Sequence, residues 1–286
     1  MATTTTTLIK RFVAPALPQP TPQFDVAYFQ QFNNVLRLYF NQLDQLLGQI
    51  VTNINTLPTF PYGAFHQDGV TTLSSGITNV STTPISVGST ADFPAAGWIL
   101  IGSEIIQYTA KTSTTFTGIT RGALGTTNVA HSAGDAISEV QGTGSGTTIW
   151  QVLFNTTDYS NGVATDPTDL SKIVFSTAGI YNLQFSAQLL NFTTSEDKVT
   201  IWFALNGSDL ANTASIEQVN PKHGSSPGAM IVTVNVLQEV VVDDYIQLKW
   251  SSDTGNTVVA TAPAGTSPVH PVSPAIIFTA TFVSAS

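Results

Sequence analysis

Four histidines, His66, His131, His223 and His270, are the side chains of this sequence best suited to metal or acid–base work. None stands at ligand spacing from another, and all lie in loop-like stretches. A zinc centre needs about three or four converging donors, so surface or loop packing is the expectation for each. Cysteine is absent, which removes disulfides and thiolate metal sites. Carboxylates gather at Asp166/Asp169, Glu196-Asp197 and Asp243-Asp244. Calcium takes about six to eight oxygens, and no loop here has a ligating pattern. These pairs read as solvated turns. Glycoside hydrolysis needs two carboxyls facing across a cleft, and no motif marks such a pair. Nucleophile elbows, phosphate loops and kinase motifs are missing. The expectation is a protein that is not an enzyme, with no catalytic residues, no metal and no cofactor. Sugars could still stack on Trp98 or Trp150, whereas Trp202 and Trp250 fall in strand patterns and read as core or as the lining of a subunit axis.

Charged residues make up 9% of the 286 residues, far below the roughly 25% of ordinary soluble domains. Thr, Ser, Asn, Gln and Gly must therefore supply the polar surface. Apolar residues are 42%, so the composition is not that of a disordered chain. The net charge is −9 and no basic run occurs, which argues against nucleic acid and anionic membranes as partners. No apolar run approaches the roughly 20 residues of a membrane span. The opening residues, Met1 to Lys10, are mostly Thr and lack an apolar signal core.

The strongest pattern is a three-four apolar spacing through Phe29, Phe32, Leu36, Tyr39, Leu43, Leu46 and Ile50. That is the a/d seam of a coiled coil. A helix is expected over 24–57, with Asp25 at its start and Pro58 and Pro61 as stops. About 32 residues rising 1.5 Å each give a rod of roughly 48 Å. Burying this seam gains about what ordering the helix costs, so the helix needs partners. Ahead of it, 1–23 reads as an extended arm. Pro15, Pro18, Pro20 and Pro22 stiffen it, and Leu8, Ile9, Phe12 and Leu17 are apolar anchors without a nearby core.

After the helix every signal is β. Residues 58–140 form a small module of short apolar runs between dense turns: Pro84–Val87, Trp98–Ile101, Glu104–Thr109 and Thr115–Thr120. Residues 141–147, Gln-Gly-Thr-Gly-Ser-Gly-Thr, read as a linker. Residues 148–286 alternate cleanly. Tyr181, Leu183, Phe185, Ala187 and Leu189 face one way, and so do Ile246, Leu248 and Trp250 on another strand. Met230, Val232, Val234 and Val236 repeat the pattern, as do Ile276, Phe278, Ala280 and Phe282. Asn206-Gly207 is a hairpin turn signal. About eight such strands argue for a sandwich or jelly roll.

Residues 150–286 resemble a jelly roll of the tumour-necrosis-factor and complement-globular-head superfamily, in the form found on bacteriophage virions. The resemblance rests on Ala178-Gly179-Ile180-Tyr181-Asn182-Leu183-Gln184-Phe185-Ser186-Ala187, on Ile201-Trp202-Phe203 before Asn206-Gly207, on Asp244-Tyr245-Ile246-Gln247-Leu248, and on Pro271-Val272-Ser273-Pro274-Ala275-Ile276-Ile277-Phe278. Asp243 stands where such domains usually carry Gly. The middle unit is similar to a short module of marine phage structural proteins, through Asp92-Phe93-Pro94, Ile101-Gly102-Ser103-Glu104, Tyr108-Thr109, Phe116-Thr117-Gly118, Thr120-Arg121-Gly122, Gly125-Thr126-Thr127 and His131. The resemblance implies a mainly β chain with an N-terminal trimeric coiled-coil helix, a small β module and a C-terminal jelly-roll knob. It implies a homotrimeric fibre or spike on the phage particle surface, a tail fibre or a head-surface fibre. Other virion proteins would be its partners through 1–23, and a host-surface glycan or protein is a candidate partner of the knob. The alternatives are a capsid decoration or cement protein without a receptor role, and a capsule-degrading tailspike enzyme.

Overall fold

Asp25 opens the helix as its cap: its carboxylate accepts from the Ala27 N–H at 2.8 Å, satisfying one of the donors a helix start leaves over. The helix, α1, runs Val26–Asn55, close to the expected 24–57. The computed structural model describes residues 15–20, 22–23, 25–55, 60–142, 148–266 and 268–285, with the side chains of 51–55 left aside. Leu8, Ile9 and Phe12 of the expected arm lie outside these residues, as do 143–147 of the expected linker. Residues 15–20 have no regular structure, and Leu17 is exposed.

The chain divides into two compact units, 1–59 and 60–286. In the second, the early strands are β1 (Tyr62–Gln67), β2 (Val70–Thr72), β3 (Ile85–Ser86), β4 (Gly97–Ile101), β5 (Glu104–Tyr108), β6 (Ala110–Lys111), β7 (Thr115–Thr117), β8 (Thr120–Ala123) and β9 (Ala136–Gln141). There follow β10 (Trp150–Gln151), β11 (Thr156–Asn161), β12 (Val163–Asp166), β13 (Asp169–Phe175), β14 (Gly179–Asn191), β15 (Asp197–Leu205), β16 (Ser208–Asp209), β17 (Ser215–Val219) and β18 (Gly228–Val240). The last are β19 (Tyr245–Ser252), β20 (Thr257–Ala260), β21 (Gly265–Thr266), β22 (Val269–His270) and β23 (Ile276–Ser284).

Two antiparallel sheets make the larger part. One reads β12-β13-β19-β15, with β17 on the far edge of β15. The other reads β11-β1-β23-β14, with β18 paired along the whole of β14. Between them lies a core that includes Phe65, Phe154, Phe185, Phe203, Trp250 and Phe278. The alternation seen in sequence is kept: Tyr181, Leu183, Phe185, Ala187 and Leu189 are all buried. From β13 onward the chain crosses between the sheets, β13 to β14, β14 to β15, β17 to β18, β18 to β19 and β19 to β20. Asn206 and Gly207 both take positive φ, 50° and 80°, as a two-residue hairpin turn requires. Asp243 also takes a left-handed φ of 68°, a conformation that Asp tolerates better than most residues other than Gly.

Residues 60–142 and 148–285 lie in the same compact unit. β14 continues past its pairing with β23 and pairs through Leu189–Asn191 with β20, which pairs with β9. β9 then leads to β4, β5 and β8, so one sheet runs from sandwich to module. β1, expected within the module, instead pairs with β11 and β23. Sequence spacing could not reveal these pairings because they join residues far apart in the chain. The module keeps its own core around Ile99, Ile106, Phe116 and Ile137. A small third cluster, Ile105, Val140, Phe192, Val258 and Ala260, fills the junction.

Candidate functional site

Charges are scarce in this chain, so a carboxylate inside a strand needs an explanation. Two occur in the module. Glu104 opens β5 and is fully buried. Arg121 on β8 meets it through Nε at 2.6 Å and Nη2 at 2.8 Å, the two-pronged geometry that suits guanidinium and carboxylate. The backbone N–H groups of Gly122 and Val129 donate to the same carboxylate at 3.0 and 3.1 Å. His131 Nε2 donates at 2.8 Å. Arg121 spends its other donors on the carbonyls of Thr78, Ser81 and Val129. Burial alone would raise the Glu104 carboxyl, but Arg121, Val129, His131 and Gly122 together hold it below its ordinary value. Every strong acceptor direction of this carboxylate is used, so it staples loops to strands and leaves no position for a substrate. His131 is therefore buried and hydrogen-bonded to Glu104 rather than a bare loop residue.

Glu139 sits in the middle of β9, 2% exposed. Its N–H donates to the Gly69 carbonyl and its carbonyl accepts from Thr261, which fixes the backbone on both sides. A Cβ at Gly69 would lie 2.9 Å from both Cβ and Oε2 of Glu139, so only Gly admits this approach. The carboxyl accepts at 2.5 Å from Nε2 of Gln67, the fully buried last residue of β1. Burial pushes it up to about 8, with Asp68 and Asp92 adding to the rise and Gln67 and Lys111 opposing it. At neutral pH it holds its proton.

Glu139 lines a cavity of about 200 Å³ with Gln67, Asp92, Phe93, Pro94 and Asn155. Asn155 ties the rim together, its amide donating to the carbonyls of Asp68 and Asp92 while its oxygen accepts from the Asp68 N–H. Lys111 holds the adjoining loop through the carbonyls of Thr90 and Phe93. Trp98 and Trp150 meet edge to face beside the cavity, centroids 5.6 Å apart. They are the two tryptophans singled out for stacking. Trp250 lies in the core, 1% exposed. Trp202 is half-buried on the opposite face of β15 from core residues Ile201 and Phe203.

The other residues singled out in sequence stand apart. His66 pairs with Asp158 at 2.9 Å and faces Asp68 at 3.6 Å. Asp197 is buried and anchors the turn before β20, accepting from the Ser252 hydroxyl and the Thr254 and Thr257 N–H groups. Asp166, Asp169 and Asp244 cap their own turns. Among the described residues no group of three His, Asp or Glu has metal-binding geometry. In the first unit, Phe32, Leu36, Tyr39, Leu43, Leu46 and Ile50 are half-buried and Phe29 is exposed. Leu38, Phe40 and Leu47, off the seam, are exposed as well. No family model matches this chain, and no curated protein matches it either.

Proposed function

We propose that this chain is a structural protein of a phage particle. It would be a homotrimeric fibre or spike, registered by a parallel coiled coil, anchored through 1–23 and capped by a jelly-roll knob of the tumour-necrosis-factor kind. The observation that carries the reading is the helix. Thirty residues in length, it keeps Leu36, Leu43, Leu46 and Ile50 on one stripe without burying any of them fully. A helix with that stripe gains its stability from other helices. The strand orders β12-β13-β19-β15 and β11-β1-β23-β14, with the chain crossing between them, support the jelly-roll reading. So does an apolar outer face on the second sheet, where Ile231, Leu237 and Ile277 are exposed opposite Gln188, Asn182 and Ser186. The resemblance implies an aromatic and aliphatic trimer axis, and this face would supply aliphatic side chains for it. Adsorption to a host surface is the role such a knob would serve. The capsule-degrading alternative draws on one feature, Glu139 and Asp92 lining the same cavity. Release of reducing ends from host glycan by the wild type and not by Glu139→Gln would favour it.

The seam provides the test. Changing both Leu43 and Leu46 to Asp places carboxyl groups in the coil, at a cost of at least several kcal/mol per chain whether they stay charged or take up protons. Helical circular dichroism should fall while the β signal stays, because the strands have cores of their own. A double variant that stays fully helical and associated would contradict the coiled-coil assignment.

A further inference from the structure

Asparagine stands directly before glycine twice in this chain, at Asn161-Gly162 and at Asn206-Gly207. Glycine has no side chain to shield its nitrogen, so that nitrogen can approach the amide carbon of the preceding asparagine. Both glycines take positive φ, 71° and 80°, and neither glycine N–H has a hydrogen-bond partner among the described residues. The two asparagine side chains differ. Asn206 is exposed, yet its amide is held at both ends. Its Nδ2 donates to the Asp244 carboxylate at 2.6 Å, and its Oδ1 accepts from the Tyr245 N–H at 3.0 Å. Asn161 is half-buried at the end of β11. Its Nδ2 donates to the Phe60 carbonyl at 3.3 Å, a long bond, and its Oδ1 has no protein partner among the described residues. Exposure would single out Asn206. Freedom of the amide to swing over the next nitrogen singles out Asn161, because Asn206 must first release two good bonds.

We propose that Asn161-Gly162 is a site of spontaneous deamidation, and that the bonds of Asn206 to Asp244 and Tyr245 spare the second pair. The Gly162 nitrogen gives up its proton to water and attacks Cγ of Asn161. A succinimide ring forms, the bond from Cγ to the amide nitrogen breaks, and ammonia leaves. Water then opens the ring at either carbonyl, giving aspartate or isoaspartate. Water is the sole co-reactant, and nothing is oxidised or reduced. The position makes the change consequential. β11 belongs to one sheet and β12 to the other, and Gly162 is the single residue between them. The Gly162 carbonyl is fixed by the N–H and the hydroxyl of Ser176 at 2.9 and 3.0 Å. Isoaspartate lengthens the main chain by one methylene at this bend, which sets the pairing of Asn161 with Tyr62 against that of Val163 with Phe175. Aspartate keeps the length but puts an acceptor where the Phe60 carbonyl had a donor. The site lies within residues 60–286 and does not depend on the trimer.

The test is peptide mapping by mass spectrometry of the full-length protein, stored in neutral buffer and sampled over several weeks. Short synthetic peptides carrying each Asn-Gly pair, stored alongside, give the rate of an unrestrained chain. Asn161 is expected to convert at least about tenfold faster than Asn206, the worth of the hydrogen bonds that Asn206 must release. Asp244→Ala removes the stronger of those bonds. In that variant, shown by circular dichroism to be folded, Asn206 should convert about tenfold faster than before while Asn161 keeps its rate. Aged wild-type protein should unfold at a lower urea concentration than fresh protein, and Asn161→Gln should lose that ageing, since its longer side chain does not close the same ring. Faster conversion at Asn206 than at Asn161 in the wild type would overturn the proposal. So would an intact Asn161 after its peptide has fully converted, or an Asn206 rate unmoved by Asp244→Ala.

Discussion

Glu104 and Glu139 stand in the same small module, equally hidden from water, and they behave in opposite ways. Glu104 accepts from a guanidinium, a histidine and two backbone N–H groups, and it is held ionised. Glu139 accepts from one amide, lies near Asp68 and Asp92, and keeps its proton up to about pH 8. Burial is common to both, so the partners decide the charge. Saturated partners make a structural staple. Unsaturated ones leave the carboxyl neutral beside a cavity.

The largest effect should come from breaking the staple. Glu104→Gln leaves Arg121 buried without its counter-charge, and a loss of about 3–5 kcal/mol is expected in urea unfolding. A loss below about 1 kcal/mol would mean that Arg121 finds enough in the carbonyls it already reaches. The second test is pH. The folded Glu139 binds a proton that the unfolded chain releases above its ordinary value of 4.5. Its contribution to stability is therefore full below that value and declines as pH rises toward about 8, by at most about 1.4 kcal/mol per unit. Glu139→Gln should flatten that decline. Glu104 acts in the other direction: its contribution is present above the ordinary carboxyl value and is lost as pH falls through its lowered one. An unchanged slope in Glu139→Gln would remove the contrast. The smallest effect is expected for His131→Ala, about 1–2 kcal/mol, because it removes one of several donors to Glu104. A cost equal to that of Glu104→Gln would make the histidine, not the arginine, the centre of the staple.

The sequence made local features plain and distant ones invisible. The helix, the alternation on β14 and β19, and the Asn206-Gly207 turn are all set by neighbours within a few residues, so period and turn chemistry revealed them. The junction is not local. Gln67, Glu139 and Asn155 converge only because β1 leaves the module for the sandwich and β20 reaches back to β9. One signal could have found the two carboxyls. In a chain with so few charges, Glu104 stands directly before Ile105-Ile106, and Glu139 lies within Ala136-Ile137-Ser138-Glu139-Val140. An acid inside an apolar strand is buried with partners or buried with its proton. The Glu104, Arg121 and His131 segments were visible as parts of a module pattern, but spacing alone did not say that they touch.

The proposed fibre would be three copies of this chain, assembled through the helix and one face of the sandwich. Multi-angle light scattering of the full-length protein at micromolar concentration tests it most directly. About three times the 30.3 kDa chain mass is expected. A single chain mass under those conditions would contradict it.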